Sequence, residues 1–69
     1  MAVMHTEVDE AAVARACWGD GSVRLGMVER RIAVRRLTEA GLSSAAIGEV
    51  LGLAERSVVR LRAANRRAA

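Results

Sequence analysis

Sixty-nine residues with 52% apolar content, a net charge of +3, no Pro and a single aromatic side chain, Trp18, allow one small domain with a thin core. A folded chain of this length leaves about 40% of its surface exposed, so an enclosed active-site cavity is not expected. Abundant Ala, Leu, Arg and Glu, beside nine Val, two Ile and neither Tyr nor Phe, point to an all-α fold and exclude a β-barrel or a dinucleotide-binding sheet.

The first predicted helix runs from about Glu7 to Trp18, with Thr6 as N-cap, acids in its first turn and Gly19 beyond its end. Val8, Ala12, Val13, Ala16 and Cys17 fall on one side, but Asp9 intrudes there, so weak docking is expected. Trp18 is expected to cover the apolar edge of the bundle. Gly19 to Gly26 reads as a loop, and residues 1–26 together read as an acidic N-terminal segment ahead of a core at 27–67.

The second helix spans about Met27 to Ala40, from Gly26 as N-cap to Gly41 as terminator. Ala33, Val34, Leu37 and Ala40 share one face with Met27, while Val28 and Ile32 form a second stripe opposite. Two stripes imply two neighbours: the following helices on the first, the N-terminal helix or a second subunit on the other. The third helix is short, about Ser44 to Leu51, capped by Ser43 and closed by Gly52. The fourth starts near Glu55 and should reach about Arg66, with Ala68 and Ala69 beyond it. Gly52, Leu53 and Ala54 form a connection tight enough to fix a steep interhelical angle.

No uncharged stretch exceeds Ala40 to Gly48, far short of the roughly 20 residues of a spanning helix. The start of the chain has neither the basic region nor the apolar run of a signal peptide, so a cytoplasmic protein is expected. One Cys and one His cannot close a zinc site, and structural metal is not expected. His5 stands in a polar segment without partners, and Cys17 suits a small buried apolar position better than a reactive thiol. No pair of catalytic groups is present, so neither enzymatic activity nor a cofactor is expected.

Charge is segregated along the chain. Residues 1–23 carry one Arg against Glu7, Asp9, Glu10 and Asp20, a net of −3, whereas residues 24–69 carry ten Arg against four Glu, a net of +6. Every basic residue is Arg, whose planar fork of donors suits phosphates and guanine edges. The basic half is therefore the candidate nucleic-acid surface. The pairs Arg30/Arg31 and Arg35/Arg36 allow two readings: ordinary helix surface partly paired with Glu29 and Glu39, or contact with phosphate or the acidic segment. Ordinary surface is favoured for Arg31 and Arg35.

The run from Gly41 to Leu61, GLSSAAIGEVLGLAERSVVRL, resembles the helix-turn-helix of bacterial and phage DNA-binding proteins, and the resemblance extends over about Arg31 to Arg62. Ile47, Leu51, Leu53, Val58 and Leu61 supply its shared core, with Leu37 from the preceding helix, Gly52 the turn, and a small residue at 48 the close approach of the helices. Gly48 replaces the usual Ala, and Ala54 stands where a Ser or Thr normally caps the second helix; each departure costs about 1 kcal/mol. The resemblance implies a homeodomain-like or LuxR-type three-helix unit, here preceded by a fourth helix, with no room for a wing after it.

The contact surface also follows from helical geometry alone. On the fourth helix Val58, Leu61 and Asn65 lie on one side and Arg56, Val59, Arg60, Ala63 and Arg67 on the other, with Arg66 at the margin. Arg56, Val59 and Arg60, in the first two turns, are placed to read base edges. Ser43 and Ser44 at the start of the third helix, with Ser57, Arg66 and Arg67, are the phosphate candidates. The expected function is sequence-specific binding of double-stranded DNA by a small transcriptional regulator, in the style of phage-encoded proteins. The alternatives are a protein-interaction module resembling the promoter-reading region of sigma factors, using Val28, Ile32 and Trp18 toward a second copy or another protein, and an accessory of DNA packaging or recombination.

Overall fold

A computed structural model describes residues 8–68 as four α-helices: α1 (Glu10–Cys17), α2 (Met27–Glu39), α3 (Ser44–Leu51) and α4 (Glu55–Ala68). No strand occurs among the described residues, and the fold is the small all-α bundle that the composition predicts. His5, Thr6 and Glu7 lie outside the described residues.

α1 begins at Glu10, three residues later than predicted. Asp9 takes the cap position instead of Thr6, its carboxylate accepting the Ala12 amide at 3.0 Å. The residue that looked like an intruder on an apolar face is thus the group that starts the helix. Its own amide donates to the Glu29 carboxylate at 3.3 Å, which ties the start of α1 to α2.

α2 starts from extended Gly26 with no side-chain cap and ends through Gly41. There the Leu42 amide donates to the Leu37 carbonyl at 3.1 Å and the Gly41 amide to that of Thr38 at 3.0 Å. That double closure requires the left-handed backbone of Gly41, φ 95°, and it turns Leu42 inward against the core. α3 keeps its predicted bounds, with Ser43 Oγ accepting the Ala46 amide at 3.1 Å. α4 runs through Ala68, beyond the expected end at Arg66, because no breaker intervenes and Asn65 fastens it to α2. In that fastening Arg31 Nε donates to Asn65 Oδ1 at 3.3 Å and Asn65 Nδ2 donates to the Arg31 carbonyl at 3.1 Å.

The core is Val34, Leu37, Ile47 and Val58, with Val13, Ala16 and Ala33 buried where α1 meets α2. Leu51, Leu53 and Leu61, expected as core, are half-buried and pack on its edge, because eight residues of α3 and a thin bundle cannot surround them. Met27 and Ala40 of the predicted core stripe are exposed.

α1 does not take the Val28/Ile32 side. It lies along Glu29, Ala33 and Arg36: Arg36 pairs with Glu10, and the Cys17 thiol approaches the Ala33 carbonyl at 4.0 Å. Positions 29, 33 and 36 form one helical stripe with a small residue at its centre, which admits a close helix flanked by charges of both signs. Val28 remains 58% exposed and Ile32 half-buried. Trp18, expected over the bundle edge, is 89% exposed, since it follows the last residue of α1 and projects from the turn. α1 touches α2 and α3 but not α4.

Candidate nucleic-acid interface

The geometry of the site begins at the joint between α3 and α4. Gly52 adopts the left-handed conformation, φ 71°, and the Leu53 amide returns to the Gly48 carbonyl at 2.9 Å. A Cβ added at Gly48 would stand 2.5 Å from the Leu53 carbonyl oxygen. The smallness expected at position 48 is therefore stricter here than in the usual pattern: the turn backbone occupies the space of an Ala methyl and would have to shift to admit one. α4 then starts from Ala54, whose carbonyl accepts the Ser57 and Val58 amides at 3.0 and 3.2 Å but whose side chain caps nothing.

This joint buries Val58 and turns the opposite side of α4 to solvent. Arg56, Val59, Arg60, Arg66 and Arg67 are all exposed, and Ser57 is half-buried beside them. At 1.5 Å per residue Arg56 and Arg60 stand about 6 Å apart along the axis, and Arg67 about 10 Å further on. Glu55 is the one acid of α4 and sits in its first turn, where the helix dipole favours an anion.

Ser43 is exposed with its hydroxyl oxygen engaged as the α3 cap, which leaves its proton free to donate. Ser44 Oγ accepts from Arg62 Nη1 at 2.9 Å. Arg62 is not among the expected contact residues, although it lies four residues after buried Val58 and so on the side of α4 that meets its neighbours. That spacing was the available signal. The arginine joins the middle of α4 to Ser44, the first residue of α3.

Two ionisable groups elsewhere are shifted. Asp20 is held below the usual carboxylate range by hydrogen bonds from the Ser22 hydroxyl and amide, at 2.6 and 3.0 Å, and by Arg15 at 3.1 Å. Burial pushes the Cys17 thiol up, against the pull of the Arg36 charge. No group of His, Cys, Asp and Glu among the described residues could hold a metal ion, and none of the described helices is long and apolar enough to cross a membrane. No protein-family model matches the chain, and no curated protein or solved structure matches it.

Proposed function

We propose that this protein binds double-stranded DNA sequence-specifically by seating α4 in the major groove, and that it acts as a small regulator of transcription. The observation that carries the reading is the α3–α4 joint: with Gly48 against the Leu53 carbonyl, one side of α4 is fixed to the bundle and its arginine stripe is presented outward. A major groove about 12 Å wide admits a helix, and a protruding, bundle-supported helix is what it requires. Arg56 and Arg60 are assigned to guanine edges and Val59 to a thymine methyl. Ser43, Ser44, Ser57, Arg66 and Arg67 are assigned to the flanking phosphates. α1 does not touch α4 and stays clear of the phosphate charge.

Selection of bound sequences from a random duplex pool tests the reading. Enrichment of a short motif is expected, and a palindrome with half-sites about one helical turn apart identifies a dimer. A pool that shows no enrichment under conditions where the chain is folded overturns sequence-specific binding.

A second reading is favoured by one observation. Trp18 at 89% exposure, with Met27 and Val28 at 62% and 58%, offers apolar surface of the kind that protein interfaces use. Under this reading the protein works through a protein contact, and Trp18→Ala removes its activity while Arg60→Ala does not.

A further inference from the structure

The four arginines of α2 differ in what they touch. Arg30 donates to the Leu25 carbonyl at 3.4 Å, Arg31 to Asn65 at 3.3 Å, and Arg36 pairs with Glu10. Arg35 is exposed and has no hydrogen-bond or ion-pair partner among the described residues. It lines a cleft between α2 and α4 together with Thr38, Glu39, Arg62, Asn65 and Arg66. Three arginines thus line one cleft with a single glutamate, and the ion pairs among the described residues, Arg15 with Asp20 and Arg36 with Glu10, lie elsewhere.

With one carboxylate against three arginines, the cleft carries a net positive charge that favours an anion. Arg62 is already oriented by its bond to Ser44 Oγ, which uses one of its five donors. Thr38 also lines the cleft, and its hydroxyl is buried with no hydrogen-bond partner among the described residues. Threonine in a helix has two χ1 rotamers available, so this unused donor is not locked in its present orientation.

We propose that the Arg35–Arg62–Arg66 cleft is a phosphate seat that receives a backbone phosphodiester of DNA next to the groove occupied by α4. The assignment rests on the DNA-binding reading above. It extends the contact surface from α3 and α4 onto α2, and it makes Arg35 a binding residue. Free phosphate offers the same chemistry, and the test separates the two sources.

The affinity of the full chain for its selected duplex and for a scrambled duplex is measured over a NaCl series, with wild type, Arg35→Gln, Thr38→Val and Arg15→Gln. Arg35→Gln should weaken both duplexes by the same factor and reduce the slope of log K against log[salt] by about 0.9, the value of one phosphate contact. Thr38→Val, which fills the same volume, should weaken both duplexes to a smaller extent while melting no lower than wild type. Arg15→Gln removes the same charge from α1 and should leave the slope unchanged. In parallel, melting is compared in potassium phosphate and KCl at matched ionic strength. If wild type binds duplex and Arg35→Gln retains its full slope, the seat is refuted and the DNA reading stands. Stabilisation by inorganic phosphate that Arg35→Gln abolishes, with the duplex slope intact, likewise overturns the DNA seat and assigns the cleft to a free anion. If wild type binds no duplex at all, the DNA reading fails and the seat with it.

Discussion

The carbonyl oxygen of Leu53 lies 2.5 Å from where a Cβ of residue 48 would stand, and the amide of Leu53 donates to the carbonyl of Gly48 at 2.9 Å. Residue 48 is thus held from both directions by one turn residue. On helix propensity alone Gly48→Ala should gain about 1 kcal/mol. The obstructing atom is backbone, however, so the turn must move and the bond between the two residues must stretch. Net destabilisation is the expected outcome, seen as a lower melting temperature. A variant that melts higher than wild type would show that the turn yields freely.

Burial separates apolar positions that the sequence treats alike. Val13, Val34, Ile47 and Val58 are fully buried, whereas Leu51 is half-buried. Val13→Ala should cost about 2 kcal/mol and Ile47→Ala about 3 to 4, against only about 1 to 2 for Leu51→Ala. In a domain whose total stability is about 3 to 5 kcal/mol, Ile47→Ala should bring the folded and unfolded states close to balance at 25 °C. Denaturant melts of the three variants check the order, and a Leu51→Ala cost equal to that of Ile47→Ala would refute it.

The fold class, the bounds of α3 and the start of α4 were legible because caps and terminators write them locally. Ser43 and Gly52 are signals within a few residues of the helix they delimit. The placement of α1 was not legible, because it rests on contacts 20 to 26 residues apart in sequence, Asp9 with Glu29 and Glu10 with Arg36. Periodicity ranked the Val28/Ile32 stripe above the Glu29/Ala33/Arg36 stripe since it counts apolar residues and not the fit of a small side chain. The exposed arginine stripe of α4 followed from helical angle alone, while Arg62 and Arg35 emerge only when α2, α3 and α4 are brought together.

Asp20 organises the loop after α1 and should make its stability depend on pH. Hydrogen bonds from Ser22 and then Arg15 depress its pKa in the folded state below the unfolded value of about 3.9. A depressed carboxylate contributes stability that is complete above the unfolded pKa and is lost as pH falls through the folded one. Asp20→Asn should therefore melt below wild type at pH 6 to 7, and the two should converge under acid. A gap that persists well below the carboxylate range would mean that the charge is not what matters.

Trp18 is the single aromatic residue of the chain and reports on its own surroundings. At 89% exposure its emission and its quenching by acrylamide should match those of a free tryptophan amide. Because α1 makes no contact with α4, saturation with duplex should change neither in a monomeric complex. A blue shift that grows with protein concentration, without DNA, would mark Trp18 as part of an interface between copies and favour the protein-contact reading.

Reading and positioning separate most sharply along α4. Arg60 and Arg67 are both exposed on its outward side, seven residues or about 10 Å apart. A straight helix entering a curved groove keeps base contact only over its first turns, so the proposed docking puts Arg60 at base edges and Arg67 at the backbone. Arg60→Ala should cost about 1 to 3 kcal/mol on the selected site and little on a scrambled duplex, lowering the specificity ratio. Arg67→Ala should weaken both duplexes alike and reduce the salt slope by about one unit, leaving the ratio unchanged. Both residues lie on the solvent side of the helix, so neither variant should shift the melting temperature, and binding losses can be read without correction for unfolding. Salt-series titrations on both duplexes decide between the roles: an unchanged specificity ratio for Arg60→Ala would remove α4 from the groove in the proposed orientation, and a fall in the ratio for Arg67→Ala instead would mean that the helix enters by its C-terminal end.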